Sequence, residues 1–364
     1  MKTQNIYSTL LILLFTPLML VAQSTGTNYV TQGRCQILDN KQVLLVGSAS
    51  SISYNIEGKD FAVFLESQDS WEHHNYLAIE IDGQYTARLR IEKGPAKMYV
   101  IPVSGTGAQH QIVLYKATEA ANGNILVGEV KAKLLPLTKK KKKKIEFIGD
   151  SITCGMGNDS QAIPCGTGEW FDQHNAYFAY GPVLARTLNC DYLLSSVSGI
   201  GMYRNWNDEH QNEAIMPDVY EKLMLKKGDD IAYDFNFQPD LISICLGTND
   251  FSNGDGKKER LPFNDEKYIK NYINFINTVY SHSPNARIVL LNSPMVSGDR
   301  NVKLVDNLKK VIAAFADDKK HRPIALFEFQ PMQPNGCGSH PDIVDDQVMA
   351  SEMETFFKKI LDEI

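Results

Sequence analysis

The chain has 364 residues, a formal net charge of −6 at pH 7 and a hydrophobic fraction of 43%. This length accommodates two domains, and the acidic balance argues against a nucleic-acid partner. Beyond the first residues, no apolar stretch is long enough to cross a membrane. Composition therefore predicts an ordinary globular protein without a membrane span.

Residues 1–22 have the features of an export signal. Lys2 lies near the start, an apolar run extends from Leu10 to Leu20, and the small residue Ala22 provides a cleavage point. The residue directly after that point is Gln23 and not a cysteine, so a lipid anchor is not expected. We predict an exported protein, periplasmic or secreted, whose six cysteines lie in a compartment where disulfides persist.

Residues 24–137 have the pattern of an all-β domain. Short runs of β-branched and aromatic residues alternate with turn signals, and Asp82-Gly83 between two runs predicts a hairpin. About eight strands at this spacing favour a β-sandwich of the jelly-roll kind. The predicted strands are Gln42–Val46, Ser51–Ile56, Phe61–Leu65, Tyr76–Ile81, Gln84–Ile91, Lys97–Val103, His110–Lys116 and Ile125–Ala132.

One cluster in this domain, Trp71, His73, His74 and Tyr76, combines aromatic rings with imidazoles. We interpret it as a loop with some core aromatics rather than a binding site. The adjacent histidines lack the spacing of metal ligands, so no metal site is predicted there.

Residues 138–144 form a predicted Lys-rich linker, because Lys139–Lys144 is an uninterrupted run of lysines. A run of like charge is usually a solvated segment. Binding of a polyanion is the alternative, and some of these lysines can instead belong to the edge of the strand that follows.

Residues 145–364 alternate strands and helices, which predicts a parallel sheet covered on both faces. In such sheets ligands bind beyond the carboxyl ends of the strands. The predicted strands are 145–148, Tyr192–Val197, Leu241–Leu246, Arg287–Leu291 and Ile324–Phe329. The predicted helices are Ala176–Leu188, Pro217–Leu225, Asp265–His282, Val302–Phe315 and a last one from about Asp345.

Ser151 follows the first of these strands within Gly149-Asp150-Ser151. A serine there, near a helix N-terminus, is well placed to act as a nucleophile, because the free N–H groups favour developing negative charge. The alternative is that Asp150 or Ser151 only caps the helix. The rest of the chain distinguishes these two interpretations.

Three further motifs follow strand ends or strand-edge loops of the same predicted sheet: Gly199, Gly247-Thr248-Asn249-Asp250 and His340-Pro341. An ester hydrolase with a serine nucleophile needs a base and oxyanion donors. We predict Ser151 as nucleophile and His340 as base. The donors would be the N–H groups of Ser151 and Gly199 and the side-chain amide of Asn249.

These motifs, in this order, resemble those of the SGNH, or GDSL-type, hydrolases over nearly all of residues 145–364. The resemblance implies an α/β/α three-layer domain with a parallel sheet that acts on esters, with Ser151, Gly199, Asn249 and His340 in the roles given above. It implies no metal and no organic cofactor.

Finer features are similar to carbohydrate esterase family 2, which joins an N-terminal jelly-roll-like domain to an SGNH domain. The matching strings are 149–158 and 198–205, followed by Met216-Pro217 and Tyr220. Members remove O-acetyl groups from plant polysaccharides such as xylan and mannan, often at primary 6-O positions. The implied partner is therefore an acetylated polysaccharide or oligosaccharide. The sequence does not define the oligomeric state.

One position departs from the common SGNH pattern. Many members carry an aspartate three residues before the histidine, where this chain has Cys337. An imidazole in the wrong tautomer can cost about four orders of magnitude in rate. Some family 2 enzymes work as Ser–His dyads with a main-chain carbonyl on Nδ1, and we expect this arrangement here. Asp342 is the less favoured partner for Nδ1, because it follows His340 too closely in the chain to reach that atom without strain.

For the cysteines, the sequence leaves two pairings open, Cys154–Cys337 and Cys154–Cys165, and Cys245 is expected to be a buried free thiol. Sugar contacts are predicted beside the Gly199 and Asn249 motifs. The predicted contact residues are Tyr203, Arg204, Asn205, Trp206 and Phe251.

The principal hypothesis is thus an exported carbohydrate O-acetylesterase. A lipase or thioesterase acting on other esters is one alternative, although no extended apolar stretch indicates a groove for long acyl chains. The other is a non-catalytic carbohydrate-binding protein, suggested by the missing aspartate and opposed by the presence of all the other motif residues.

Overall fold

The computed structural model describes residues 27–68, 73–138, 140–208 and 212–364. The predicted export signal at residues 1–22 lies outside this range, as do Trp71 of the aromatic cluster and Lys139 of the linker. Within these ranges, none of the helices combines the length and apolarity that crossing a membrane requires.

The N-terminal part is an antiparallel β domain, as predicted. Its strand order is β2-β3-β9-β4-β8-β5-β6, with β1 and β7 also paired to β4, so that β4 contacts four other strands. Most of the buried aliphatic and aromatic residues of these strands share one core. The strands are β1 Val30–Gln32, β2 Cys35–Ile37, β3 Val43–Leu45, β4 Ser51–Gln68, β5 Asn75–Ile81, β6 Gln84–Ile91, β7 Lys97–Val100, β8 Gln109–Lys116 and β9 Asn124–Leu135.

Two details of this domain differ from the sequence prediction. The two strands expected at 51–56 and 61–65 form the single strand β4, because the Gly58 region continues the strand through a register shift rather than a turn. The short strands β1 and β2 were not predicted, since three residues carry too little periodicity. The hairpin at Asp82-Gly83 is confirmed: both residues have positive φ, and Ile81 pairs with Gln84.

The C-terminal part is a five-stranded, fully parallel sheet in the order β11-β10-β12-β13-β14. The first strand begins at the last lysine of the Lys-rich run, Lys144, whose backbone N–H donates to Asp240. The strands are β10 Lys144–Gly149, β11 Asp191–Ser196, β12 Leu241–Cys245, β13 Arg287–Leu291 and β14 Ala325–Phe327. The predicted fold class is therefore confirmed in both halves.

The helices of this domain follow the predicted order. The helix expected at 217–225 is only one turn, because the chain turns at Leu225 and pairs Lys222 with Ala232. The helix expected at 176–188 is divided into a 3₁₀ turn and a helix from Tyr180. The helices are α1 Ser151–Cys154, α2 Tyr180–Thr187, α3 Met216–Val219, α4 Thr248–Phe251, α5 Asp265–His282, α6 Gly298–Ala313 and α7 Ile343–Asp362.

The two domains share buried structure. One hydrophobic cluster contains Tyr115 of β8 together with Phe147 of β10 and Tyr180 of α2. Arg34 of the β domain is fully buried, and its guanidinium donates to the Ser195 hydroxyl and to the Tyr220 carbonyl. Because a buried charge is stable only when it is hydrogen-bonded, this arginine fixes the β domain against the parallel sheet.

Candidate active site

Ser151 lies at the sharp turn from β10 into α1. Asp150 caps this helix by accepting a hydrogen bond from the Ile152 N–H. Gly149 is required at the end of the strand, because a Cβ atom there would overlap the Thr153 hydroxyl. This turn places the Ser151 side chain at the carboxyl edge of the sheet, and only 4% of the residue is exposed.

His340 reaches Ser151 from the loop before α7. Its Nε2 lies 2.8 Å from the Ser151 Oγ, and its Nδ1 lies 2.8 Å from the Gly338 carbonyl oxygen. A carbonyl only accepts, so it selects the tautomer with the proton on Nδ1 and leaves Nε2 free to accept the serine proton. The structure thus brings the two predicted residues together, with a main-chain carbonyl at Nδ1. Asp342 is not available for this task, because its side chain caps α7.

The loop that carries His340 is fixed by a disulfide between Cys165 and Cys337. Neither pairing considered from the sequence occurs, because Cys154 is fully buried beside Glu119, away from the loop. The Cys337 N–H also donates to the Gly157 carbonyl. Position 337, where many SGNH enzymes have an aspartate, therefore holds the His340 loop covalently. Cys245 is a buried free thiol, as predicted.

We expect removal of this disulfide to destabilise the protein. The bridge joins residues separated by 172 positions, and a loop of this size corresponds to roughly 5 kcal/mol in the chain-entropy model. The variant with both Cys165→Ser and Cys337→Ser should lose several kcal/mol in the free energy of unfolding, measured by urea titration. Cys35→Ser, which changes a free cysteine of the β domain, is the control. A double variant within about 1 kcal/mol of wild type, the range of ordinary surface substitutions, would contradict the expectation.

The predicted oxyanion donors lie on the strands that flank β10. Gly149 pairs with Ser196 of β11 on one side and with Cys245 of β12 on the other, so the segments after both strands lie beside Ser151. Gly199 has a φ of 77°, a conformation that glycine adopts without strain. Among the described residues, the backbone N–H groups of Ser151 and Gly199 meet no protein acceptor, so both can donate to a ligand.

Asn249, in α4, is held against the same turn. Its side-chain amide donates to the Ile200 carbonyl at 2.8 Å and lies 3.4 Å from the Asp150 carboxylate. Burial raises the pKa of Asp150 to about 7, with the nearby charge of Asp250 acting in the same direction. The amide is therefore buried and oriented beside the residue that precedes Ser151, while its role as a donor stays a prediction.

Asp250 organises the loop that follows Gly199. Its fully buried carboxylate accepts hydrogen bonds from the N–H groups of Met202, Tyr203 and Arg204. This explains the Gly-Thr-Asn-Asp motif in part: Asn249 faces the nucleophile turn, and its neighbour holds the adjacent loop.

The five predicted sugar contacts separate into two groups. Tyr203, Arg204 and Phe251 are buried, and their contacts are internal: the Tyr203 hydroxyl accepts from the Asn264 N–H, Arg204 donates to the Asp250 carbonyl, and Phe251 packs on Phe263. These three side chains thus have internal packing and hydrogen-bonding roles, and their contact with a sugar stays a prediction.

The other two predicted contact residues, Asn205 and Trp206, are at least partly exposed. The Asn205 side chain accepts from the Gly201 N–H and donates to the Ala214 carbonyl. Trp206 is 49% exposed, its backbone N–H donates to the Gly199 carbonyl, and its Cβ lies beside Gly199. Trp206 is thus the aromatic side chain of this set that a ligand at Gly199 can reach.

Glu119 is a neighbour of the site that the sequence patterns do not reveal. It belongs to the β domain, is fully buried, and accepts a hydrogen bond from the Ser198 N–H at 2.7 Å. A single acidic residue between two strands has no spacing or motif that would mark it.

Comparison with known proteins identifies the chain's family. Residues 147–348 match the GDSL-like lipase/acylhydrolase family, and residues 31–137 match the carbohydrate esterase 2 N-terminal domain. The chain belongs to the GDSL-like lipase/acylhydrolase family. As a member of this family with the N-terminal domain of carbohydrate esterase family 2, the protein is a carboxylic-ester hydrolase.

Several named esterases are similar to this protein over most of its length. An acetylxylan esterase / glucomannan deacetylase of Cellvibrio japonicus is 31% identical over 258 residues, 69% of each chain. The cellulase/esterase CelE of Acetivibrio thermocellus is 28% identical over 347 residues, 90% of this chain and 39% of that protein. A family two carbohydrate esterase from Clostridium thermocellum, solved with cellohexaose, has a TM-score of 0.80 and 26% identity over 92% of this chain and 100% of that chain.

The pH dependence of this GDSL-like site follows from the environment of His340. Burial lowers the pKa of its imidazole below 6.5, although the bond to the Gly338 carbonyl opposes the shift. A base must be neutral to accept a proton, and a lowered pKa keeps it neutral at lower pH. We expect kcat/KM for an aryl acetate to decline only as pH falls below 6.5.

Asp150 also titrates near this range, so Asp150→Asn is the control for the pH profile. Asparagine retains a capping oxygen. The acid limb should keep its position in this variant. The assignment to His340 would be contradicted if the acid limb of the kcat/KM profile moved with the substitution, or if it were centred above pH 6.5.

Proposed function

We propose that the protein is an exported carbohydrate O-acetylesterase that removes acetyl groups from plant polysaccharides of the xylan and mannan type. The observation that carries the proposal is the 2.8 Å contact between the Ser151 Oγ and the His340 Nε2, beside Gly199 and Asn249. It is supported by relatives named acetylxylan esterase / glucomannan deacetylase.

In the first half of the proposed reaction, the Ser151 oxygen attacks the carbonyl carbon of the acetyl ester while its proton moves to the His340 Nε2. The carbonyl oxygen becomes negative and accepts hydrogen bonds from the Ser151 and Gly199 N–H groups and from the Asn249 amide. The bond to the sugar oxygen then breaks, and that oxygen takes the proton from Nε2. The acetyl group stays on Ser151.

In the second half, water replaces the sugar. His340 takes a proton from the water as its oxygen attacks the acetyl carbon, and returns this proton to the Ser151 oxygen as acetate leaves. The imidazole is positively charged twice in each cycle. The Gly338 carbonyl, 2.8 Å from Nδ1, holds the ring and stabilises this charge through its dipole.

The proposed sugar surface is centred on Trp206 and Asn205. The Trp206 Cβ lies next to Gly199, and this half-exposed residue offers an apolar ring face for a sugar. Asn205 holds the same loop through its bonds to Gly201 and Ala214.

Export is part of the proposal. The predicted signal at residues 1–22 motivates it, and the Cys165–Cys337 disulfide supports it, because such bridges persist in oxidising compartments.

The test is acetate release from acetylated xylan and acetylated glucomannan, beside an aryl acetate and an aryl octanoate. We expect serine-dependent release from a glycan, with the aryl acetate turned over far better than the octanoate. Ser151→Ala is the control for contaminating esterase. Turnover of octanoate with no release from glycans would overturn the proposal in favour of a lipase or thioesterase. A folded protein that binds glycans but releases nothing from any ester would favour the carbohydrate-binding alternative.

A further inference from the structure

A loop of the β domain extends into the catalytic domain beside the nucleophile. It connects β8 to β9, and its central residue, Glu119, is completely buried. A buried carboxylate is unfavourable unless it is hydrogen-bonded, so the contacts of this side chain indicate why an acidic residue stands here.

One carboxylate oxygen of Glu119 contacts the segment that presents Gly199. Its Oε2 accepts a hydrogen bond from the Ser198 N–H at 2.7 Å. Ser198 immediately precedes Gly199. This bond therefore fixes the peptide group directly before the one that contains the Gly199 N–H. Hydrogen bonds to an ionised acceptor are about twice as strong as neutral ones.

The same side chain also contacts the nucleophile turn. The thiol of Cys154, the last residue of α1, lies 3.4 Å from Oε2. The other oxygen, Oε1, lies at the ion-pair distance of 3.7 Å from the His174 Nε2. Within the described part of the chain, neither of these two atoms has a hydrogen-bond partner. Glu119 therefore bridges the turn after Ser151 and the segment that carries Gly199.

The loop around Glu119 is rigidly held. The buried Lys116 ammonium donates to the Glu119 carbonyl at 2.6 Å and to the Thr118 carbonyl at 3.2 Å. The Ala117 carbonyl accepts from the Ala176 N–H of the catalytic domain at 2.9 Å. A side chain on such a support can position what it contacts.

We propose that Glu119 is a positioning residue of the active site, through which the β domain fixes the Ser198–Gly199 backbone so that the Gly199 N–H meets the oxyanion. This inference rests on the proposed function of Gly199. It gives the β domain a part in catalysis beyond packing against the sheet.

The charge state of Glu119 is consistent with this role. Burial alone would raise the pKa of its carboxyl, but the nearby His174 ring and the hydrogen bond from the Ser198 N–H bring that pKa below its usual value. The carboxylate is therefore ionised at neutral pH.

A rival mechanism is that the negative charge of Glu119 acts on His340 at a distance. The titratable groups that interact with the carboxylate are His174, Cys154 and His340. Lys116 and Arg88 act on His174. The two mechanisms differ in what a substitution must preserve. Positioning needs an acceptor atom at the right reach, whereas the distant effect needs the charge.

Three substitutions separate these requirements, with Glu129→Gln on the exposed face of β9 as the matched control. Glu119→Gln keeps the reach and loses the charge. Glu119→Asp keeps the charge and withdraws the acceptor by one methylene. Glu119→Ala removes both. The readouts are kcat and KM for an aryl acetate, and amide hydrogen exchange of the peptide that spans residues 196–200.

We expect Glu119→Gln to lower kcat by only about threefold, because a neutral acceptor still bonds the Ser198 N–H. Glu119→Asp and Glu119→Ala should each lower kcat by about 10²-fold, the effect of losing one oxyanion donor, with KM nearly unchanged. Hydrogen exchange at 196–200 should rise in the Asp and Ala variants alone. Glu129→Gln should match wild type.

The proposal is overturned if folded Glu119→Asp keeps activity and exchange protection while Glu119→Gln loses activity, because charge would then be the requirement. It is also overturned if folded Glu119→Ala keeps kcat and exchange protection. If Glu119→Ala does not fold, the Asp and Gln variants decide. A wild-type protein inactive on every ester would refute the proposed function separately, and the exchange measurement would still test the contact.

Discussion

Replacing Ser151 with alanine is expected to lower kcat for an aryl acetate by about 10⁵-fold or more, the size of effect seen when the nucleophile of a serine hydrolase is removed. The reason is that the Ser151 Oγ, 2.8 Å from the His340 Nε2, is the atom that would form the covalent bond to the acetyl group. The measurement is steady-state hydrolysis by purified protein, with the free energy of unfolding measured on the same samples.

His340→Ala should have a similar effect, because an unassisted hydroxyl is a weak nucleophile at neutral pH. The double variant should be no slower than either single variant, since residues that act as one unit are not additive. Both substitutions should leave the fold intact. Near-normal turnover by folded Ser151→Ala, or additive losses in the double variant, would contradict the assignment.

Asn249→Ala is expected to have the second-largest effect, a loss in kcat of about 10²- to 10³-fold, which is typical for one oxyanion donor. The Asn249 amide is buried, oriented by the Ile200 carbonyl, and lies beside Asp150. Because the oxyanion exists only in the transition state, KM should change little. The measurement is the separate determination of kcat and KM for an aryl acetate.

Asn253→Ala is the matched control for this substitution, since Asn253 is an exposed residue shortly after the same short helix. Its kcat should equal that of wild type. A loss in Asn249→Ala that appears only in KM would assign Asn249 to substrate binding. If the loss of activity in Asn249→Ala is explained by unfolding of the variant, Asn249 has a structural role.

Much of the fold is visible in the sequence because it depends on local pattern. The bounds of α5 and β13 agree with their predicted ranges, since an amphipathic helix with a capping Asn264 and a short apolar strand are local features. The strands β1 and β2 were missed because three residues carry little pattern. The single strand β4 was divided because a glycine that continues a strand resembles one that turns it.

The candidate catalytic residues could be chosen from the sequence because each stands in a short motif at a strand end or strand-edge loop. The parallel sheet then brings Ser151, Gly199 and Asn249 to one edge, and the loop before α7 delivers His340. Three of the five residues predicted to contact the sugar, Tyr203, Arg204 and Phe251, are buried. Proximity along the chain to Gly199 and Asn249 did not show which side chains turn inward.

The remaining parts depend on contacts between distant segments. The Cys165–Cys337 bridge joins loops that only the folded chain brings together, so spacing could not choose among pairings. Glu119 lies in the other domain from Ser198, to which it is bonded. No periodicity or motif encodes such a contact, because it forms only when the two domains pack together.

In the proposed reaction, the acetyl group is carried on the Ser151 oxygen between the sugar and water. The most direct measurement is a rapid acid quench of wild-type protein during turnover of 4-nitrophenyl acetate, followed by peptide mass spectrometry. We expect a burst of nitrophenol release and one acetyl group on the peptide containing Ser151, both absent from Ser151→Ala. An acetyl group on another residue of the wild-type protein, or a burst and label that persist in Ser151→Ala, would contradict it.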